Sequence, residues 1–412
     1  MKVNISRLQN TIEKIGQFNS SPGKGCSRFS FSKEDLDLKE YLIKEFDLLG
    51  METRVDSIGN IRSVMKGKLP KLPVIMIGSH VDTVSNGGNY DGVAGVVCAL
   101  EVIRVFRENN INLDTSIELV IFSEEEGSNF NSTMVGSKSM VGKYSVEDLK
   151  KLTNNKNQSC FEVLKSIGIN PENLFNDIVR KNEIKAMIEL HIEQSVVLDN
   201  LSIPIGIVEA IAGMCTLKIG ITGKANHAGS TPMYMRNDAL VEAAKLIEKV
   251  KDIAENAKSN SSVATVGTLN AYPNSSNIIP GEVEIFIDIR DVTSEGIDEI
   301  LKKINEYIGM QIEKNEFRYS SKVIAESEAI KLSSNIIKEI EDCAKKMGLN
   351  YKMMNSGAVH DSAQLAKITD VGMIFVPSIN GDSHCPEEYT AIKDIELGCN
   401  LLLSLVYKLA TQ

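Results

Sequence analysis

The chain has no apolar stretch approaching 18 residues, so no transmembrane helix is expected. Its opening, MKVNISRLQNTIEKIGQF, lacks the apolar segment of a secretory signal. No basic cluster interrupts a net charge of −10, which argues against a nucleic acid or an anionic membrane as partner. The seven cysteines are odd in number, widely spaced and never arranged as CxxC. A disulfide framework is therefore not expected, and a reducing cytoplasm is the default location. Cys385 stands beside a histidine but reads as an ordinary buried thiol. The absence of a GxSxG elbow disfavours a serine hydrolase. The glycine-rich stretch has neither a GK[ST] ending nor GxGxxG spacing, so it does not read as a phosphate cradle.

What is present can bury a large core. With 412 residues, 42% hydrophobic and 24% charged, the chain has the size of two domains, or of one carrying an insertion. SKEDLDLKEYLIKEFDLLG (32–50) predicts a helix capped by Ser32 and ended by Gly50. LPVIMI (72–77) predicts a buried strand, VAGVVCALEVIRVF (93–106) a helix, and SIELVIFSEEEG (116–127) and AMIELHIEQ (186–194) further strands. This alternation indicates an α/β sheet. After about residue 211 the pattern changes. CTLKIGITG (215–223), SVATVGTLNAYP (262–273) and EVEIFIDIRD (282–291) alternate apolar and polar residues, as half-exposed antiparallel strands do. With helices near 237–258 and 293–308 they predict a strand–helix–strand–strand–helix–strand module. From about 327 the first style returns: a helix over 327–347, a strand at 373–378 and a final helix over 391–409. The expected organisation is one α/β domain, 1–211 with 327–412, carrying an inserted α+β domain at 212–326.

The five histidines, at 80, 191, 227, 360 and 384, lie in GSHVDT, ELHIEQ, ANHAGS, AVHDSA and DSHCPEE. In an open α/β sheet, ligands gather at the carboxyl ends of strands. His80 with Asp82, then Glu124–Glu126, then His191 fall at such ends, and a glycine loop can fold Asp91 back toward His80. Histidine and carboxylate donors without cysteine suit Zn²⁺, Mn²⁺, Co²⁺ or Ni²⁺. Adjacent glutamates divide labour well, one binding metal while its neighbour carries protons.

Together GSHVDTVSNGGNYDGVAGV, FSEEEGSNF, ELHIEQ, NHAGSTPM, NIIPGEVEIFIDIR, SGAVHDSAQLA and VPSINGDSHCPEEYT resemble the M20-type binuclear metallohydrolases over nearly the whole chain. Within them, HIEQ and NHAGSTPM resemble the amidase branch of N-carbamoyl-L-amino acid hydrolases, β-ureidopropionases and allantoate amidohydrolases. The resemblance implies a metallopeptidase-like catalytic domain, with a mixed sheet flanked by helices, and an inserted lid and dimerisation domain. It implies a homodimer and two divalent ions per subunit, Zn²⁺ foremost. His80, Asp91, Glu126, His191 and His384 would hold them, with Asp91 bridging. Asp82 would fix the His80 ring, Glu125 would be the general base, and His227 would reach the reacting carbonyl, in the partner subunit's site. Arg290, Asn277, His360, Gln194 and Gly357 would bind substrate, a small ureido or amide compound bearing a carboxylate. The activity implied is hydrolysis of a ureido C–N bond with release of ammonia and CO₂. The competing expectations are an M20 exopeptidase or aminoacylase, and a catalytically silent metal-binding protein. Two positions depart from the family pattern: Asn129 stands where EEGxRF has arginine, and Ser195-Val196 follow HIEQ where glycine is usual.

Overall fold

A computed structural model describes residues 1–71, 73–314 and 317–411. Several of its helices form where apolar residues recur at helical spacing and a polar side chain closes the first turn. Ile5–Gly16 opens on Asn4, which accepts the Arg7 N–H, and buries Leu8, Ile12 and Ile15. Lys33–Leu48 opens on Ser32, as its sequence predicts, with the hydroxyl accepting the Asp35 N–H. Val93–Glu108 is apolar nearly all round and buried nearly all round, as a helix enclosed by other elements must be.

The strands Val74–His80, Ile117–Phe122, Ile184–Ile192 and Asp370–Val376 are nearly continuous apolar runs, buried along almost their whole lengths. A parallel sheet covered by helices requires this composition. Leu72, first residue of the predicted 72–77 run, lies outside the described residues. The four strands run parallel, with Val74–His80 between Ile117–Phe122 and Ile184–Ile192, and Asp370–Val376 next to Ile184–Ile192. Ile61–Met65 joins Ile117–Phe122 antiparallel, Glu52–Val55 joins Ile61–Met65 antiparallel, and Ile205–Ile211 joins Asp370–Val376 antiparallel. The sheet is mixed and flanked by helices, the fold class expected from the sequence. Register places His80 opposite Phe122 and His191 opposite Phe375, so the carboxyl ends of the parallel strands share one edge.

One core joins this sheet to Ile5–Gly16, Lys33–Leu48, Val93–Glu108, Ser334–Met347 and Ile392–Ala410. A smaller cluster of Phe31, Ile58, Phe130, Val135, Leu149, Cys160, Leu164 and Leu174 anchors the segment after the glutamates. Within the sheet, Arg62 and Glu118 form a buried ion pair, with Nη2 to Oε2 at 3.0 Å.

The chain divides into two units: Met1–Glu209 with Leu332–Met354 and His360–Gln412, and Ala210–Lys331 with Asn355–Val359. The second carries an antiparallel sheet in the order Arg318–Ser327, Gly213–Thr222, Glu282–Asp291, Val263–Tyr272. Ala239–Glu255 and Ser294–Lys314 pack on it through Leu246, Val250, Ile300 and Ile304 against Leu217, Ile219, Ile285 and Ile287. The turn 355–359, expected with the catalytic domain, belongs to this second unit.

The helix predicted over 327–347 begins only at Ser334. Residues 318–327 pair with Gly213–Thr222, and Ile330–Lys331 pair with Ile211 and Ala210. Ladder hydrogen bonds hold this stretch extended despite its helix-favouring Ala, Glu and Lys. All seven cysteines are free. Among the described residues no helix is long and apolar enough to cross a membrane.

Candidate metal centre

The strand ends supply the site. His80 closes Val74–His80, His191 stands next to last in Ile184–Ile192, and Glu124, Glu125 and Glu126 follow Ile117–Phe122. Asp91 ends the glycine loop, just before Val93–Glu108. The helix is entered through Gly92 at φ 63°, where a Cβ would stand 2.5 Å from the His80 ring. His384 comes from a loop and has φ 59°.

Asp91 joins two groups of donors. Its Oδ1 is 3.4 Å from His80 Nε2 and 3.3 Å from His191 Nε2. Its Oδ2 is 3.4 Å from His384 Nε2, which is itself 3.4 Å from Glu126 Oε2. Two donor triads share Asp91, His80–Asp91–His191 and Asp91–Glu126–His384, and a third group among the described residues is Glu189–His191–His360. These separations are long for N–H···O bonds. They match the edge of about 3.3–3.4 Å between two ligands on a tetrahedral ion with bonds of about 2.0–2.1 Å. The ring tautomers agree. His80 Nδ1 donates to the Asp82 carbonyl at 3.0 Å, and His191 Nδ1 to the Ile192 carbonyl at 2.9 Å, which turns each Nε2 toward Asp91. Nitrogen and carboxylate donors without thiolate fit divalent metal ions.

The electrostatics of the pocket also call for cations. Burial pushes the Glu125 carboxyl well above its ordinary range, against the pull of His80 and with help from Asp361, Glu126 and Asp82. Burial and Asp91 push Glu126 up to about 7, and burial and Asp82 push Glu124 up to about 8. Burial also acts to raise Asp91, but His191, His384 and His80 together hold it well below its usual value. His384 is raised to about 9, chiefly by Asp91. Crowded buried carboxylates of this kind are stabilised by positive charge.

Glu125 Oε2 lies 3.9 Å from His80 Nε2, farther than the donor separations, and Glu125 belongs to neither Asp91 triad. Glu124 serves the turn instead: its Oε1 accepts the N–H groups of Asn129 and Phe130 at 2.9 and 2.7 Å. Asp82 departs from its expected role. Its main-chain carbonyl, not its carboxylate, holds the His80 ring, because the carboxylate is 3.8 Å from Nδ1 and accepts the Glu126 N–H at 3.1 Å. Gln194, expected at the substrate, donates through Nε2 to Asp91 Oδ2 at 2.6 Å. His360 is 2% exposed, with its ring edge-on to His191 at 4.6 Å, so it braces a donor rather than facing an open pocket.

Sequence reasoning missed several buried carboxylates here, Glu189, Asp361 and Glu388 among them. Glu189 accepts the Ser79 hydroxyl at 2.7 Å and the Ser362 N–H at 3.2 Å. Its spacing of two from His191 along a strand was the available signal. Glu388 accepts the N–H groups of Tyr90 and Asp91 at 2.9 and 3.0 Å. No local pattern announces it.

His227, Asn277, Arg290 and Gly357 all belong to the second unit. His227 is exposed, and its Nδ1 accepts the N–H groups of Gly229 and Ser230 at 3.0 and 3.2 Å, so Nε2 carries the proton. Asn277 is exposed, and its carbonyl accepts the Ala228 N–H at 3.0 Å, beside His227. Arg290 binds Asp288 through Nε and the Gly357 carbonyl through Nη1, each at 2.8 Å. Of the two departures from the family pattern, Asn129 turns its amide to the Ser30 carbonyl at 2.8 Å, and Ser195 is exposed.

Shared carboxylate, histidine triads and a free glutamate at the strand ends of a mixed sheet define a metal-dependent hydrolase. The chain belongs to the peptidase family M20/M25/M40, whose sequence profile matches residues 76–408. It is 38% identical to an N-carbamoyl-L-amino-acid amidohydrolase of Pseudomonas sp. (strain NS671), over 98% of each chain. It is 30% identical to an allantoate amidohydrolase of Escherichia coli (strain K12), again over 98% of each. The crystal structure of an amidase of the hydantoinase/carbamoylase family from Burkholderia multivorans matches with TM-score 0.93 at 28% identity, covering 100% of this chain and 99% of that one. These relatives agree with the amidase branch indicated by the motifs.

Proposed function

We propose that the protein hydrolyses the ureido C–N bond of an N-carbamoyl-L-amino acid or of allantoate, releasing ammonia and CO₂. The observation that carries this reading is Asp91, shared between two donor triads with Glu125 beside them. His80, Asp91 and His191 would hold one divalent ion, and Asp91, Glu126 and His384 a second, Zn²⁺ foremost. When bound, such ions supply Lewis acidity, which acidifies the attacking water and polarises the carbonyl. Glu125 takes the proton from that water and returns it to the leaving nitrogen. His227, with its proton on Nε2, donates to the developing oxyanion. Arg290 and Asn277 grip the substrate carboxylate, a task suited to the planar guanidinium. The carbamate released decomposes to ammonia and CO₂.

The chain acts as a homodimer in which His227 serves the partner subunit's site. Exposed Met233, Tyr234, Met235, Val241, Val263 and Tyr272 in the second unit support an apolar contact there. The free cysteines favour a reducing cytoplasm.

The test is ammonia release by metal-loaded protein on allantoate, several N-carbamoyl-L-amino acids and N-carbamoyl-β-alanine, with a dipeptide scored for amino acid release. Turnover of a ureido compound is expected. Turnover of the dipeptide alone would move the protein to the exopeptidases. Mixing Glu125→Gln with His227→Ala protein tests the dimer. Random pairing should recover about one quarter of wild-type activity, since half the dimers then hold one intact site. No recovery from two inactive parents would place His227 in its own subunit's site, and an active His227→Ala parent would place it outside catalysis.

A further inference from the structure

We infer that Glu388 is the positioning residue of the second donor triad: it locks the loop carrying Asp91 to the turn carrying His384. The inference rests on the binuclear reading above. Glu388 is buried and spends one oxygen on main chain, with Oε1 accepting the N–H groups of Tyr90 and of Asp91 itself. Those bonds fix where the Asp91 side chain begins. The Ser383 hydroxyl bridges the two carboxylates, 3.1 Å from Asp91 Oδ2 and 3.3 Å from Glu388 Oε2. The rings of Tyr90 and Tyr389, the sequence neighbours of Asp91 and Glu388, meet edge to face at 5.6 Å.

The glycine loop is shaped around this carboxylate. A Cβ on Gly88 would stand 2.1 Å from Glu388 Oε1, so the position has room for glycine and no more. Nothing in the metal triads themselves demands a glycine there.

The two triads depend on this lock unequally. His80 and His191 project from buried sheet strands and hold their rings through main-chain carbonyls. His384 projects from a loop, with its side chain 48% exposed. Asp91 must offer Oδ1 to one side and Oδ2 to the other, and a small rotation of its loop costs one of the two contacts. The sheet holds the first triad; the bridge through Glu388 and Ser383 holds the second.

The experiment titrates metal-free wild type, Glu388→Ala, Glu388→Gln and Gly88→Ala with Co²⁺. It follows the visible absorption bands and counts retained ions by mass spectrometry after dialysis. Far-UV circular dichroism confirms that each variant is folded. Glu388→Ala should keep one tight ion and bind the second ten- to a hundredfold more weakly, the usual effect of losing a group that orients a ligand. Gly88→Ala should do the same by displacing the carboxylate. Glu388→Gln keeps an acceptor for both N–H groups and should restore the second ion, which a mere loss of buried charge would not predict. Two ions bound by Glu388→Ala as tightly as by wild type, or equal weakening of both, would overturn the proposal alone. Fewer than two ions in wild type would overturn the binuclear reading, and this proposal with it.

Discussion

Replacing Glu125 by glutamine removes a charge and keeps the shape. The group stands 3.9 Å from His80 Nε2, outside the 3.3–3.4 Å that separate the donors, so both ions should stay. What disappears is a proton acceptor. General-base catalysis contributes about 10²–10⁴-fold, and a fall in kcat of about a thousandfold corresponds to about 4 kcal/mol at 1.36 kcal/mol per tenfold. KM should change little, because other residues grip the carboxylate. Stability should not fall either. Burial disfavours the Glu125 carboxylate, and Asp361, Glu126 and Asp82 repel it while His80 attracts it. A neutral amide should therefore leave the metal-free protein at least as stable to heat. The assay is ammonia release at saturating substrate, with metal content and thermal unfolding measured on the same preparation. Turnover within tenfold of wild type, with both ions bound, would refute the base assignment. Loss of an ion would make Glu125 a ligand instead.

Chelation should lower the melting temperature by several degrees, since an ion at a hundred times its Kd stabilises by about 2.7 kcal/mol per site. Calorimetry showing the same melting temperature with and without chelator would contradict a structural contribution from the ions. Gly92→Ala should remove the ion of the His80 triad, because its Cβ collides with the His80 ring at a positive φ; a full metal complement in that variant would sink the geometry. Glu118→Ala strands the buried Arg62 charge and should cost about 3–5 kcal/mol in urea unfolding with kcat unchanged. Arg62→Met with Glu118→Leu should recover most of that loss, and a single-variant cost under about 1 kcal/mol would show that the pair is solvated.

The parallel strands and the histidines at their ends are legible from sequence because both signals are local. An apolar run that ends in His80, or in ELHIEQ, carries its meaning within ten residues. The second unit is legible for the same reason, since alternation along Glu282–Asp291 buries Val283, Ile285, Ile287 and Ile289 in turn. The helix onset at Ser334 is not local. Pairing of Ile330–Lys331 with Ile211 and Ala210, far earlier in the chain, keeps the residues before Ser334 extended. Glu388 is hidden for a related reason. Its partners are main-chain N–H groups of residues 90 and 91, which leave no mark in the composition around 388. The Asp82 role failed at the scale of a single torsion. Sequence places the residue beside His80 but does not say whether its carbonyl or its carboxylate meets the ring.

Asp370–Val376 lies between Ile184–Ile192 and Ile205–Ile211, strands synthesised long before it. While the ribosome is still making the second unit, the main sheet has a slot with two unpaired edges. Such edges invite pairing with other chains. Closing the slot is a late, long-range event, which slows folding and lengthens exposure to chaperones. His384 emerges only after that strand, so no nascent chain short of it can complete the second triad. A product cut off before residue 370 would be inert and sticky at once, and quality control could recognise it by its open sheet rather than by its missing chemistry.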